Sequence, residues 1–486
     1  MIEATALKAR CAHYKNNNMQ RLAAYPRNDL AQLYSIKGRS CQMPDAKPGR
    51  VRYSILLMLF LVTSVTFADR SSLSIAGAAL QADLGIDAVT LGYVFSAFGW
   101  AYVIGQIPGG WLCDRFGARR VYGIALFTWS GFTLLQGFVG VLPLSWTIVT
   151  LFLLRMAVGF AGAPCFPGNA RIIAAWFPSA ERGTAIAISA SAQYAATAIF
   201  APVMGWVVQA MGWQQVFILL GGLGLLLSLL WFKVILSPRD HPAIREAEFA
   251  HIEAGGALID LEPRPGDVKG SQWGYFKRLL SHRTLMGIYL GQYCNNAITY
   301  FFLTWFPVYL VQARGMTILF AGLFTALPAV SGFVGGVLGG LTSDVLLRRG
   351  HSLTLARKLP IISGLSLSSC LVLCIFVQSD VAVMSLMALA FFGKGFGSLG
   401  WTLVADTSPR QIVGLSGGLF NSFGNLAAIT TPIVVGYLVS RTGSFDWALV
   451  YVAANAVLAV VFNLLVVGNI HRIELDAEPD LAPARG

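Results

Sequence analysis

Long apolar runs separated by short polar ones set the architecture of this chain. Windows of about 20 apolar residues, the length that crosses a bilayer as a helix, recur about twelve times in its 486 residues. They fall at 53–75, 91–112, 119–140, 145–166, 184–208, 213–236, 284–311, 318–343, 357–378, 382–404, 413–439 and 445–467. The runs are unbroken and do not alternate with period two, which excludes the ten-residue strands of an outer-membrane barrel. The pattern predicts an all-α membrane protein of twelve transmembrane helices. A stretch rich in Pro, Gly and charge, 237–283, separates a six-helix bundle at 51–236 from a second at 284–467. Within it, Ala243 to Ile259 reads as a short amphipathic helix on the membrane face. Residues 1–50 read as a disordered polar segment without a secretory signal, with Met43 as an alternative start, and 468–486 as a tail.

Composition agrees: 56% of residues are hydrophobic and only 12% charged, against roughly 25% charged in soluble proteins. The net charge of +12 is a topology signal and does not point to nucleic acid. Lys and Arg gather in alternate loops: Arg115, Arg119 and Arg120, then Arg171 and Arg182, then the central stretch, then Arg348, Arg349, Arg357 and Lys358. The positive-inside rule places both termini and the central stretch in the cytoplasm. The seven cysteines are scattered and show neither metal spacing nor a disulfide framework.

Charges inside the spans carry the chemistry. Asp69 and Arg70 sit together in the first apolar window, where a charge costs at least ~2.5–3.5 kcal/mol. Either they mark the wet end of the span or something binds them. Arg70 presents a planar fork of donors suited to a carboxylate. Asp69 is a candidate proton carrier. Neighbours on a helix point about 100° apart, so one can face a solute and the other an adjacent helix. Arg155 lies inside span four, as a second buried charge or a snorkelling one. Lys394 stands in the Gly-rich run Phe391-Phe-Gly-Lys-Gly of span ten, as a second cation for a solute or the partner of a carboxylate. Asp406 falls near the span end, at the aqueous edge. Gln193, Asn296, Asn421 and Asn425 are amides within apolar spans, suited to a polyhydroxylated solute or to interhelical bonds. Asn421 and Asn425 share a face at i, i+4. Trp401 either stacks on a solute or packs toward lipid.

The two halves repeat one pattern. Gly110-Trp-Leu-Cys-Asp114-Arg115-Phe-Gly117 follows span two, and Gly340-Leu-Thr-Ser-Asp344-Val-Leu-Leu-Arg348 follows span eight. Gly permits close helix approach, and an Asp near a helix end can lock to Arg, so Gly110, Asp114, Arg115, Gly340, Asp344 and Arg348 are candidate gating residues. Matching motifs in two six-span halves indicate parallel repeats.

These strings resemble the major facilitator superfamily. Ala68-Asp-Arg-Ser-Ser-Leu-Ser-Ile-Ala76, Gln106-Ile-Pro-Gly-Gly-Trp111 and Phe166-Pro-Gly-Asn-Ala-Arg171 resemble its anion:cation symporter family. Gly291-Gln-Tyr-Cys-Asn-Asn296 through Tyr300 to Pro307, and Phe391 to Gly395, resemble its bacterial glucarate/galactarate branch, with galactonate transporters as close cousins. The resemblance implies that Arg70 grips a substrate carboxylate with Tyr102 beside it, and that Asp69 pairs with Arg155. It also exposes a departure: where relatives carry a glutamate implicated in proton coupling, this chain has Gly162. The expectation is an inner-membrane transporter importing a sugar diacid with protons by alternating access, as a monomer without cofactor or metal. The alternatives are a symporter for a monocarboxylate sugar acid and a weakly coupled facilitator or exchanger. The spans hold no His pair or Ser/His couple for an enzyme and no Walker loop for a pump, and no soluble output domain suggests a receptor.

Overall fold

The computed structural model describes residues 49–257, 259, 273–409 and 412–473. The expected N-terminal segment, Met43 and most of the tail lie outside these. The chain divides into Met1–Gly49 and one unit, Arg50–Gly486. The second unit carries the membrane-spanning helices.

The first half comprises α1 (Val51–Leu84), α2 (Ala88–Phe116), α3 (Ala118–Gln136), α4 (Leu144–Gly162), α5 (Cys165–Trp176), α6 (Ser179–Met211) and α7 (Trp213–Val234). After α8 (Glu246–Ala254) and α9 (Trp273–Ser281), the second half comprises α10 (Arg283–Thr304), α11 (Phe306–Gln312), α12 (Ile318–Arg348), α13 (Leu353–Ser368), α14 (Asp380–Phe396), α15 (Gly400–Thr407), α16 (Val413–Thr442) and α17 (Asp446–Val461). Among the described residues, 11 helices are long and apolar enough to cross a membrane. The twelfth crossing is α10, whose 22 residues carry Gln292, Asn295 and Asn296, and those amides lower its apolarity.

Several spans are longer or more broken than the apolar windows. α1 runs to Leu84 and stops where Gly85 turns left-handed at φ 61°, a conformation that glycine adopts without cost. α2 starts at Asp87, whose carboxylate accepts from the Thr90 N–H at 2.9 Å. The fourth span breaks between α4 and α5 at Pro164, and the tenth loosens into a 3-10 turn at Gly397–Leu399.

The expected amphipathic helix of the central stretch is the shorter α8, and it packs on protein. Glu248 is fully buried and accepts the Arg52 N–H at 3.1 Å and the Val51 N–H at 3.3 Å. It thus satisfies first-turn donors that α1 leaves unpaired. Arg52 also pairs with Glu181 at 3.1 Å, and Ile252 is buried in the first-half core.

The halves meet through α2 on α16 and α6 on α12. A Cβ on Gly92 would stand 2.6 Å from the Pro432 carbonyl oxygen, and one on Gly99 2.8 Å from the Ala428 Cβ. Tyr93 and Tyr437 hydroxyls lie 3.2 Å apart, and Gln312 donates to Gln81 at 2.9 Å. These contacts cluster at the end opposite α8. Toward the α8 end, a Cβ on Gly110, Gly340 or Gly418 would meet nothing within 4 Å. The contacts between the halves are tightest at the end opposite α8 and thin out toward Gly110 and Gly418, with Ser422 donating to Gln106 at 3.4 Å before them.

Candidate functional site

Asp69 and Arg70 point to different places, as their angular separation on α1 requires. Asp69 turns into the first half. Its carboxylate accepts from Trp129 Nε1 at 3.0 Å, Thr133 Oγ1 at 3.1 Å and Arg155 Nη1 at 3.4 Å. Arg155 also donates to the Asp69 carbonyl at 3.1 Å and to Ser72 Oγ at 3.3 Å. Asp69 and Arg155 are 1% and 2% exposed, so this is a buried ion pair with further hydrogen bonds on both partners. Trp129 and Thr133, one turn apart on α3, complete it. Their polar handles on one face of an apolar helix are their only trace in the sequence.

Arg70 turns toward the second half. Its guanidinium carbon lies 4.6 Å from the Tyr102 ring, 4.7 Å from Phe98, 5.0 Å from Phe67 and 5.8 Å from Phe166. Such rings attract a cation through their faces, and of the four residues only Tyr102 carries a hydroxyl that can accept from it. Nε and Nη2 of Arg70 are buried and make no hydrogen bond. Tyr102 is 1% exposed and stacks on Phe98 at 5.2 Å.

Arg70 and Arg155 line one cavity between the halves, with Ser74, Phe98, Tyr300 and Thr304. Its volume is about 20 Å³, room for about one water and too little for a six-carbon diacid. Tyr300 donates from its hydroxyl to Asn425 Oδ1 at 2.8 Å. Asn425 Nδ2 in turn donates to the Asn421 carbonyl at 2.8 Å and Oδ1 at 3.1 Å. The shared face of these two amides is therefore real, and they are bonded to each other. Tyr300, one turn after Asn296 on the same face of α10, joins the cavity to this chain.

The other candidates lie apart from the cavity. Lys394 is half-buried over the Phe391 ring at 5.1 Å. Gln292 donates to Asn296 Oδ1 at 3.3 Å. Gln193 is half-buried. Trp401 is 51% exposed and packs edge-on against Phe420 at 4.9 Å.

The motif residues divide. A Cβ on Gly110 or Gly340 would meet nothing within 4 Å, whereas their neighbours Gly109 and Gly339 and, between the halves, Gly92, Gly99, Gly205, Gly322 and Gly436 are close approaches. The Asp114 side chain lies outside the described residues. Arg115 rests over Trp111 and Phe116. Asp344 lies 3.9 Å from Arg357, which also binds Asp406 at 2.9 Å, so Asp406 is ion-paired as well as near the helix end. Arg348 is exposed. Gly162 is buried, yet a Cβ there would meet nothing within 4 Å.

Comparisons with known proteins converge. Residues 59–402 match the Major Facilitator Superfamily model. The chain is 55% identical over 441 residues to the "Probable galactarate/D-glucarate transporter GudP" of Bacillus subtilis (strain 168), covering 90% of this chain and 97% of that one. It is 57% identical over 432 residues to the protein of the same name in Escherichia coli (strain K12), covering 88% and 96%. The fold superposes with a TM-score of 0.66 on the inward open conformation of the xylose transporter XylE from E. coli, at 18% identity, covering 86% of this chain and 97% of that one.

Proposed function

The chain belongs to the major facilitator superfamily, and from that membership we propose that it imports a sugar diacid of the galactarate/D-glucarate type across a bacterial inner membrane, coupled to protons. The observation that carries the reading is Arg70. A buried guanidinium with two unbonded nitrogens, boxed by aromatic rings between two domains, is built to receive a carboxylate. The names of the relatives point to the same substrate class.

The chemistry of coupling follows from Arg155, which touches Asp69 and also lines the cavity. A substrate carboxylate entering the cavity competes with Asp69 for Arg155. Asp69, relieved of its cation, then takes a proton. Arg70 holds one end of the diacid and Tyr300, with Asn425 and Asn421 bonded behind it, reads the hydroxyls. Lys394 of α14, Asn296 and Gln193, which lie apart from the small cavity, join the site as it widens around the solute, with Lys394 the cation for the far carboxylate. Closure at the end opposite α8, with both termini cytoplasmic, makes this conformation inward-facing. Rocking about the α2–α16 and α6–α12 contacts opens the other side.

A second reading is favoured by Gly162. With the family carboxylate absent from this open position, Asp69 is left to carry the proton in the first half, and coupling is weaker than in relatives. Counter-flow uptake in proteoliposomes tests the main reading. Unlabelled galactarate or D-glucarate inside is expected to drive labelled diacid in. The absence of exchange with any sugar acid overturns it.

A further inference from the structure

The second half holds a small cavity that shares no lining residue with the one at Arg70. It lies between α10, α13, the 3-10 turn at Gly397–Leu399 and the π-helical turn Phe462–Val466 that follows α17. Its volume is about 20 Å³, room for about one water. Glycine keeps the space open. A Cβ on Gly397 would stand 2.4 Å from Asn295 Oδ1, and one on Gly400 2.9 Å from the Phe420 ring.

Two hydrogen-bond acceptors of this cavity are left over. Asn295 and Asn463 both line it and are each 5% exposed. The Oδ1 atom of each makes no hydrogen bond. Asn463 Nδ2 donates to the Ala459 carbonyl at 2.8 Å, so its oxygen is the unpaired end. Its backbone is part of the widened turn, in which the Val467 N–H donates to the Phe462 carbonyl five residues back at 2.9 Å. Gln292, the third amide of the cavity, already donates to Asn296 Oδ1 at 3.3 Å. The other walls are apolar, among them Leu365, Leu403 and Phe420. At this depth the bilayer supplies no donor, and an unpaired buried acceptor is costly.

We propose that this cavity binds one water molecule, which donates one hydrogen to Asn295 Oδ1 and the other to Asn463 Oδ1 and so ties α10 to the π-helical turn. The two hydrogens of water match the two acceptors, and the cavity has its size. Among the described residues that line it none is charged, so a metal cation there would be buried without a counter-charge. The site is independent of which solute the transporter carries.

A density map of the whole transporter in lipid nanodiscs, at a resolution that shows ordered water, tests this. One peak is expected about 2.6–3.2 Å from both Oδ1 atoms. Radiolytic hydroxyl labelling gives a second readout, because a bound water is a local source of radicals. Phe420 is 1% exposed and lines the cavity, whereas Phe306 is 0% exposed and packs on Phe302. Phe420 should be oxidised about fivefold or more above Phe306 if water is held there. Asn463→Leu should remove the peak and the labelling, and lower the melting temperature by about 2 °C or more, because Asn295 is left without a partner. Adding Asn295→Leu should recover at least about half of that loss, since two apolar side chains need no water. Should the variants fail to fold, the map and the labelling of the wild-type protein decide the question. An empty cavity, labelling of Phe420 no higher than Phe306, or additive losses in the double variant overturns the proposal. So does a melting temperature raised by Na⁺ or K⁺ over choline in the wild type but not in Asn463→Leu, which would make the occupant a cation.

Discussion

Arg155 stands between Asp69 and the central cavity: its Nη1 lies 3.4 Å from Asp69 Oδ2, and the same side chain lines the cavity beside Arg70. A single guanidinium is thus in reach of a fixed carboxylate and of whatever anion enters. Asp69→Asn removes the proposed proton carrier but keeps an amide for Trp129 and Thr133. Accumulation driven by a pH gradient is expected to vanish, while counter-flow at equal pH persists. Removing one partner of a buried pair costs about 3–5 kcal/mol, so the variant should also melt earlier. Uptake against a gradient at the wild-type level would remove Asp69 from the coupling step.

Arg70→Lys keeps the charge and loses the fork. Transport of galactarate is expected to fall by about thirtyfold or more, equivalent to a loss of about 2 kcal/mol or more for a desolvated charge pair. Circular dichroism and gel filtration should be unchanged, because Arg70 makes no hydrogen bond through Nε or Nη2 that the fold depends on. Near-normal uptake would show that another cation holds the carboxylate.

Tyr300→Phe breaks the bond to Asn425 Oδ1 at the cavity wall. An unpaired buried acceptor costs about 1–3 kcal/mol, so KM for galactarate is expected to rise at least about fivefold with little loss of protein. An unchanged KM would mean that this bond is only scaffolding.

That Asp69, Arg70 and Arg155 are charges in apolar spans was legible in the sequence, but the pairing of Asp69 with Arg155, 86 positions apart, came from the family resemblance alone. Trp129 and Thr133 were not legible, because both residue types also serve as packing in an apolar helix. Gly110 and Gly340 carried the repeat but not its geometry, since the close approaches fall at their neighbours Gly109 and Gly339. The docking of α8 was hidden for another reason. Glu248 reads as a surface charge until the N–H groups of Val51 and Arg52 are seen to need it. α10 gave the opposite lesson. Its amides weaken it as an apolar span, while its Tyr300 and Thr304 line the cavity.

Lys394→Asn separates diacids from monoacids. Among the described residues Lys394 has no carboxylate partner, and its ammonium lies over Phe391. If it holds the far carboxylate, galactarate and D-glucarate uptake should fall about tenfold further than galactonate uptake, the equivalent of about 1.4 kcal/mol. Equal losses for both classes would make it a structural cation.

Gly162 bears on stoichiometry. With Asp69 as the one carrier, one proton should accompany each dianion, and each cycle then moves a net negative charge inward. An inside-negative potential opposes that by about 2.3 kcal/mol per charge per 100 mV. Uptake should therefore respond strongly to a pH gradient and poorly to potential. Gly162→Glu has room for its first carbon, since nothing lies within 4 Å of that position. A carboxylate there is expected to add a second proton and make uptake electroneutral, shifting the reversal potential accordingly. Two or more protons per diacid in the unmodified chain would refute the single-carrier reading. Asp406, 25% exposed at its side chain and 2.9 Å from Arg357, would then be the next carboxylate to test.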